Sequence, residues 1–363
     1  MEVECVGNTG KTMQKQKARN SNLEFYRIIV MLLIVAHHYV VNSGLITPMG
    51  ESPLSGRSIF FFLFGAWGKT GINCFVLITG YFMCKSQITL YKFMKLLLEV
   101  LFYNILIYAL FVILGYEKLS FELIFNLLPG RVLKDDFTSC FLVFYLCIPF
   151  LNVLVQNLTK KQHFQLLALT LFIYTFHATP PKTYVSMNYV SWFCTLYIVA
   201  SYLRFYPTKF DKNVKFWLGG VFLCIILSVL SILIKLWTFV ASDNPFAPYR
   251  YVADCNEFLA LATAVTSFMY FKNINIRQSK LINTIAASTF GVLLIHAHSD
   301  AMRKWLWQDF LDNIGHYADD LYWVQPIVAT IVIFIICVII DYVRIRIVEK
   351  PLLKRVFNRH YID

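Results

Sequence analysis

Apolar residues recur in long runs at about 21–42, 58–83, 90–114, 138–156, 163–178, 190–206, 215–237, 254–271, 284–302 and 323–347. Short polar loops separate them. At 1.5 Å per residue, a run of roughly 18 to 22 apolar residues crosses the hydrocarbon core of a bilayer as a helix. Lipid offers the backbone no hydrogen-bond partners, so a chain of such runs is expected to be helical throughout. The fifth run is the shortest for a full crossing. Ser21-Asn-Leu-Glu24 has the spacing of a capping box, which predicts that the first helix starts there and ends near Asn42. The pattern predicts an all-α polytopic membrane protein of about ten transmembrane helices, with no internal repeat or low-complexity tract.

The charges orient this array. With the N-terminus inside, the cytoplasmic segments hold Lys85, Lys92 and Lys95, then Lys160 and Lys161, then Arg204, Lys209, Lys212 and Lys215. Lys272, Arg277, Lys280 and the basic C-terminus follow, so about two thirds of all Lys and Arg fall inside. The outer loops collect Glu117, Glu122, Asp135, Asp136, Asp243, Asp254, Asp309, Asp312, Asp319 and Asp320. Removing one helix scrambles the alternation, so ten crossings with both termini cytoplasmic are expected. Residues 1–20, with Lys11, Lys15, Lys17 and Arg19, read as a disordered basic tail. Residues 21–355 read as one transmembrane domain and 356–363 as a second tail. No apolar stretch follows Met1 directly, so no cleavable signal is expected.

Composition narrows the class. With 58% hydrophobic and 15% charged residues, the chain has too little charge to cover a soluble globule of 363 residues. The net charge of +12 sits in loops beside apolar runs, which suits membrane lipids as partners and not nucleic acid. The nine cysteines contain no CxxC and mostly lie inside apolar runs, so neither a disulfide framework nor a metal site is expected.

Ionisable side chains within the spans are costly and need a partner, water or a function. Arg27 and His38 are eleven residues apart in the first helix, three turns plus about 20°, so they share a face roughly 16 Å apart along the axis. Glu24 is placed to hold the Arg27 guanidinium, and His37 points 80–100° away, by helix geometry. His38 reads either as a neutral imidazole bonded to a neighbouring helix or as a base deep in a site whose cation lies near the cytosol. Lys69 and Asn73 share a face of the second helix, ahead of Gly80-Tyr81. Lys69 either faces a polar cavity or snorkels outward. The ninth helix carries His296 and His298 at a depth similar to that of His37 and His38. The two pairs either form one site or are packed separately.

Several of these residues sit in motifs that resemble the acyltransferase-3 superfamily. Glu24-Phe-Tyr-Arg27 with His38 is similar to that family's opening. Gly71-Ile-Asn73-Cys-Phe75 through Thr79-Gly80-Tyr81 is similar to its "GVxxFFxLSGY". Phe141 to Tyr145 with Pro149-Phe-Leu-Asn152 resembles "F…Y…PFLN". Trp192-Phe-Cys-Thr-Leu-Tyr197 with Tyr202-Leu-Arg204 resembles "WF…LY…GYIR". Ser288-Thr-Phe-Gly291 through His296 resembles "SxTFGIYLIH", and Val348-Glu349-Lys350-Pro351 resembles "VEKP". The six motifs stand in order over residues 20–355.

The resemblance implies a membrane-bound O-acyltransferase that moves an acetyl or similar acyl group onto a sugar hydroxyl of a surface polysaccharide or lipid-linked glycan. It implies acetyl-CoA or another acyl-CoA as co-substrate, no bound cofactor, and a bacterial inner membrane as location. His38 is then the general base, with a covalent acyl-histidine as the other route. Arg27, Lys92 and Lys95 bind the donor's phosphates. Glu24, His37, Lys69, Asn73, Tyr81 and His296 support the oxyanion, the acceptor or the fold. Lys92-Phe-Met-Lys95 stands where the family often has RxxR, and a lysine lacks the bidentate fork of arginine. A transporter or flippase for a lipid-linked glycan is the alternative, since buried Arg, Lys and His also mark transport paths. The inverted repeats expected of that class are absent from the sequence.

Overall fold

The computed structural model describes residues 20–119, 136–180, 183, 185–238, 247–252 and 254–357. The expected tails, apart from Asn20 and residues 356–357, lie outside the described residues, as do Cys5, Glu122, Asp135 and Asp243. The described residues are helical and contain no strand. In chain order the helices are α1 Ser21–Val41, α2 Ile46–Glu51, α3 Gly56–Phe64, α4 Gly68–Met83, α5 Leu90–Ile113, α6 Phe137–Asn157 and α7 Lys160–Leu171, which continues as a π-turn to Phe176. Then come α8 Tyr189–Phe205, α9 Val214–Thr238, α10 Phe258–Asn273, α11 Lys280–Ala287, α12 Thr289–His296, α13 Asp300–Lys304, α14 Val324–Arg344 and α15 Lys350–Phe357.

Every apolar run of the sequence falls mostly on helix, the eighth only from Phe258. Six of the helical stretches are long and apolar enough to cross a membrane, and a seventh is a broken pair, Lys280–His296 with Asp300–Phe310, bent by 94°. Helices α7, α8 and α10 are shorter. Helix α8 is buried among other helices. It carries the fully buried Trp192, Phe193 and Tyr197, and it packs on α4, α6 and α7. By contrast only 11% of the α9 window is buried, against 67% for the Gly56–Met83 stretch, so α9 faces lipid and α3–α4 form the centre.

Two local expectations are corrected. The first helix is capped by Asn20, whose side chain accepts from Asn22 N, and the Ser21 hydroxyl is drawn instead to Asn283 and to the Ser279 amide. The second and ninth helices are each interrupted. Residues 65–67 turn between α3 and α4, with the Gly65 carbonyl taken by His37. The ninth ends at His296, which leaves His298 beyond its C-terminus.

Candidate active site

A cavity of about 860 Å³ lies at the end of the bundle where α1 terminates. Its walls are the last turns of α1, α5 and α12 and the first turns of α4, α6 and α8. Met31, Ile34 and His38 line it from one stripe of α1, together with His37, Lys69, Phe75, Asn104, Tyr189 and Arg303.

At its wall the two histidine pairs of the sequence meet. His38 Nδ1 lies 2.9 Å from His296 Nε2, and His296 Nδ1 lies 2.6 Å from the Val292 carbonyl oxygen. A carbonyl only accepts, so His296 carries its proton on Nδ1 and, when neutral, presents a bare Nε2. That nitrogen must accept from His38 Nδ1–H. His38 is thereby left with an unprotonated Nε2 on a ring that lines the cavity. His296 is fully buried behind it and packs edge-on against Trp307. The reason for the order is covalent: Val292 is one turn before His296 in α12, where the imidazole of a terminal helical residue can reach back to the i−4 carbonyl. His37 is held separately, its Nδ1–H donating 2.6 Å to the Gly65 carbonyl, with its ring centroid 5.6 Å from that of His38.

Lys69 faces the cavity and does not snorkel. Its ammonium donates 2.6 Å to the Tyr189 hydroxyl and pairs with no carboxylate among the described residues. Asn73, one turn on, is used structurally. It donates 2.6 Å to the Cys255 carbonyl and accepts 2.8 Å from Trp192 Nε1, which ties α4 to α8 and to the turn before α10.

The remaining candidates lie at the other end of the bundle. Arg27 pairs with Glu24 at 3.4 Å, one turn beyond the cavity floor at Met31. Lys92 donates to Ser86 Oγ and the Gln87 carbonyl, and Lys95 pairs with Glu349 at 2.9 Å. Neither lysine lines the cavity. Tyr81 is also distant from it, its ring covered by the Arg204 guanidinium at 4.3 Å and the Lys272 ammonium at 5.5 Å. Arg27, Lys92, Lys95, Arg204 and Lys272 therefore make a basic end, opposite the end that holds His38, Lys69 and Tyr189. Tyr189, Arg204 and Arg303 were not singled out as site residues by the sequence, and His298 only as the companion of His296. Lys69 and Tyr189 are 120 residues apart, and no spacing rule connects them. Among the described residues no three His, Cys, Asp or Glu side chains are arranged to hold a metal ion.

Two hydrogen-bonded histidines thus stand at the wall of a cavity in a helical bundle. Residues 20–342 match the family model described as an acyltransferase domain, Acyl_transf_3. The chain belongs to the acyltransferase-3 family. No curated protein and no solved structure matches it. The match covers both histidine pairs, Lys69 and Tyr189, so the relay and the cavity belong to a membrane acyltransferase. Its boundary at 342 leaves Arg344 and Glu349 just outside.

Proposed function

We propose that this acyltransferase moves an acetyl or similar acyl group from acyl-CoA to a sugar hydroxyl of a surface polysaccharide or lipid-linked glycan, with His38 as general base. The observation that carries the reading is the relay from the Val292 carbonyl through His296 to His38. It fixes the tautomer and leaves His38 Nε2 as the acceptor of a proton from the cavity. His38 Nε2 takes the proton of the acceptor hydroxyl as its oxygen bonds to the thioester carbonyl carbon. The C–S bond then breaks, and the leaving thiolate recovers the proton from His38. The acyl carbonyl oxygen becomes an oxyanion in between, and the Lys69 ammonium, held by the Tyr189 hydroxyl, is a cation in the cavity wall that favours it.

In this reading the chain crosses the inner membrane of a bacterium ten times with both termini in the cytoplasm. The basic end then faces the cytosol, where acyl-CoA is made, and Arg27, Lys92 and Lys95 meet its phosphates together with Arg204. The roughly 16 Å from Arg27 to His38 along α1 is a span for the donor's extended thiol arm. Lys95 must exchange Glu349 for phosphate, which a half-exposed lysine does at small cost. No bound cofactor is required.

The test is transfer of radiolabelled acetyl from acetyl-CoA to a lipid-linked glycan fraction by membranes holding wild-type protein or His38→Ala. The expected result is labelled acceptor with wild type and a loss of about 10²–10⁴-fold with the variant at equal expression. Equal labelling would remove His38 from the chemistry, and an absence of label with both would point to another acyl group, succinyl first.

A further inference from the structure

The 94° break after α12 carries polar groups that nothing above uses. His298 and Arg303 both line the cavity, and each holds a buried nitrogen, His298 Nδ1 and Arg303 Nε, that has no hydrogen-bond partner in the described structure. A buried polar atom left without a partner costs about 1–3 kcal/mol, so such atoms in a cavity wall point to something that fills it. The guanidinium is already anchored, one nitrogen donating 3.1 Å to the Ala297 carbonyl and another 2.9 Å to Asp300 Oδ1. Asp300 is almost wholly exposed, so that pair is weakly held. Arg303 is also an electrostatic neighbour of His38, His296 and His298, which places its charge beside the relay.

We propose that Arg303 and His298 form an acceptor subsite for an acidic group, a carboxylate or a phosphate, carried by the sugar whose hydroxyl is presented to His38. This inference rests on the acyltransferase reading of the same cavity. The acids at the mouth do not cancel it. Asp136 is committed to the start of α6, where its oxygens accept the Thr138 and Ser139 amides, Asp300 is the carboxylate the ligand displaces, and Glu117, the third acid of the lining, makes no ion pair with Arg303 among the described residues. Lys69, bonded to the Tyr189 hydroxyl and in no ion pair among the described residues, adds a second cation to the lining. A hydroxyl of a neutral sugar would meet Arg303 Nε with a single neutral acceptor, whereas a planar carboxylate or a phosphate takes two guanidinium N–H groups at once and matches their charge.

The experiment is binding to purified full-length protein in lipid nanodiscs, with methyl glucuronide, glucose 1-phosphate and methyl glucoside as probes. Wild type is expected to bind at least one acidic probe about tenfold or more tightly than the glucoside, the size of one charge-assisted hydrogen bond. Which acidic probe wins separates carboxylate from phosphate. Arg303→Gln is expected to erase the preference and Arg303→Lys to restore part of it. Asp300→Asn, a change at an exposed side chain, is expected to strengthen acidic binding and keeps the test open if the arginine variants do not fold. The proposal is overturned if wild type binds the glucoside as well as the acidic probes, if it binds no acidic probe at millimolar concentration, or if Asp300→Asn changes nothing while Arg303→Gln binds like wild type. Acyl transfer plays no part in these readouts, so a failure of the acyltransferase reading would appear separately, as inactive wild-type membranes.

Discussion

At the level of single residues, the site depends on which nitrogen each imidazole exposes, and that is decided by neighbours with no freedom of their own. The Val292 carbonyl fixes His296, and His296 fixes His38. His37 is fixed by the Gly65 carbonyl and is pressed against Gly68, where an added Cβ would stand 2.2 Å from the imidazole Cγ. Gly68→Ala is therefore expected to displace His37 and the corner between α3 and α4, costing about 1–3 kcal/mol as an overpacked site does. Thermal unfolding in detergent measures this, with Gly219→Ala as control because nothing lies within 4 Å of its added carbon. An unchanged unfolding temperature in Gly68→Ala would mean that the corner is slack. The equal depth of His38 and His296 was readable from counting along two outward-running helices. Their contact was not, because depth says nothing about which faces of α1 and α12 turn toward each other. Lys69 illustrates the same limit. Its sequence allowed both a cavity and a snorkelling rotamer, and the choice fell to Tyr189 on another helix.

Among the helices, the largest concentration of charge lies outside the cavity. Arg344 on α14 binds Glu99 on α5 at 3.0 Å, Asp341 at 2.8 Å and Glu349 at 2.8 Å, and Tyr103 donates 2.8 Å to Asp341. Arg344, Glu99, Asp341 and Glu349 are all buried, so the guanidinium is the counter-charge the three interior carboxylates share, with Lys95 as a second partner of Glu349. Asp341 also lies against Gly291, where an added Cβ would stand 2.2 Å from its Oδ1, next to the residue whose carbonyl orients His296. The network thus pins α14 and α5 to the helix that carries the relay. Arg344→Met is expected to destabilise the protein by about 3–5 kcal/mol, since it strands buried carboxylates. Lys95→Met, at a half-exposed partner of Glu349, is expected to cost under about 1 kcal/mol. Chemical unfolding in lipid or detergent micelles compares the two, and similar losses would show that the network's burial is not what matters. The terminal motif Val348-Glu349-Lys350-Pro351 acquires a physical role here: Glu349 closes this network from the π-turn after α14.

For the molecule as a whole, the arrangement places a basic end opposite a cavity lined by His38, and the orientation of the two in the membrane is open to direct test. Thr208→Cys and Asp320→Cys lie in exposed loops at sites assigned to opposite sides. A membrane-impermeant thiol reagent applied to intact cells is expected to label the second and not the first, and to label both once the membrane is broken. Labelling of Thr208→Cys from outside would invert the topology and put the basic end where no acyl-CoA is made.

The sequence by itself determined the all-helical membrane class, the position of every apolar helix to within a few residues, and the family, because hydrocarbon thickness and backbone hydrogen bonding leave a long apolar run one structure to adopt. It also marked His38, Lys69 and His296 as charged or polar groups that lipid would not tolerate alone. Only the tertiary structure decided what they touch. Rotation about each helix axis, the breaks at 65–67 and after His296, and the use of Asn73 for packing all follow from how helices distant in sequence fit together. The pairs His38 with His296 and Lys69 with Tyr189 are 258 and 120 residues apart, and no periodicity within one helix encodes a distance measured between two.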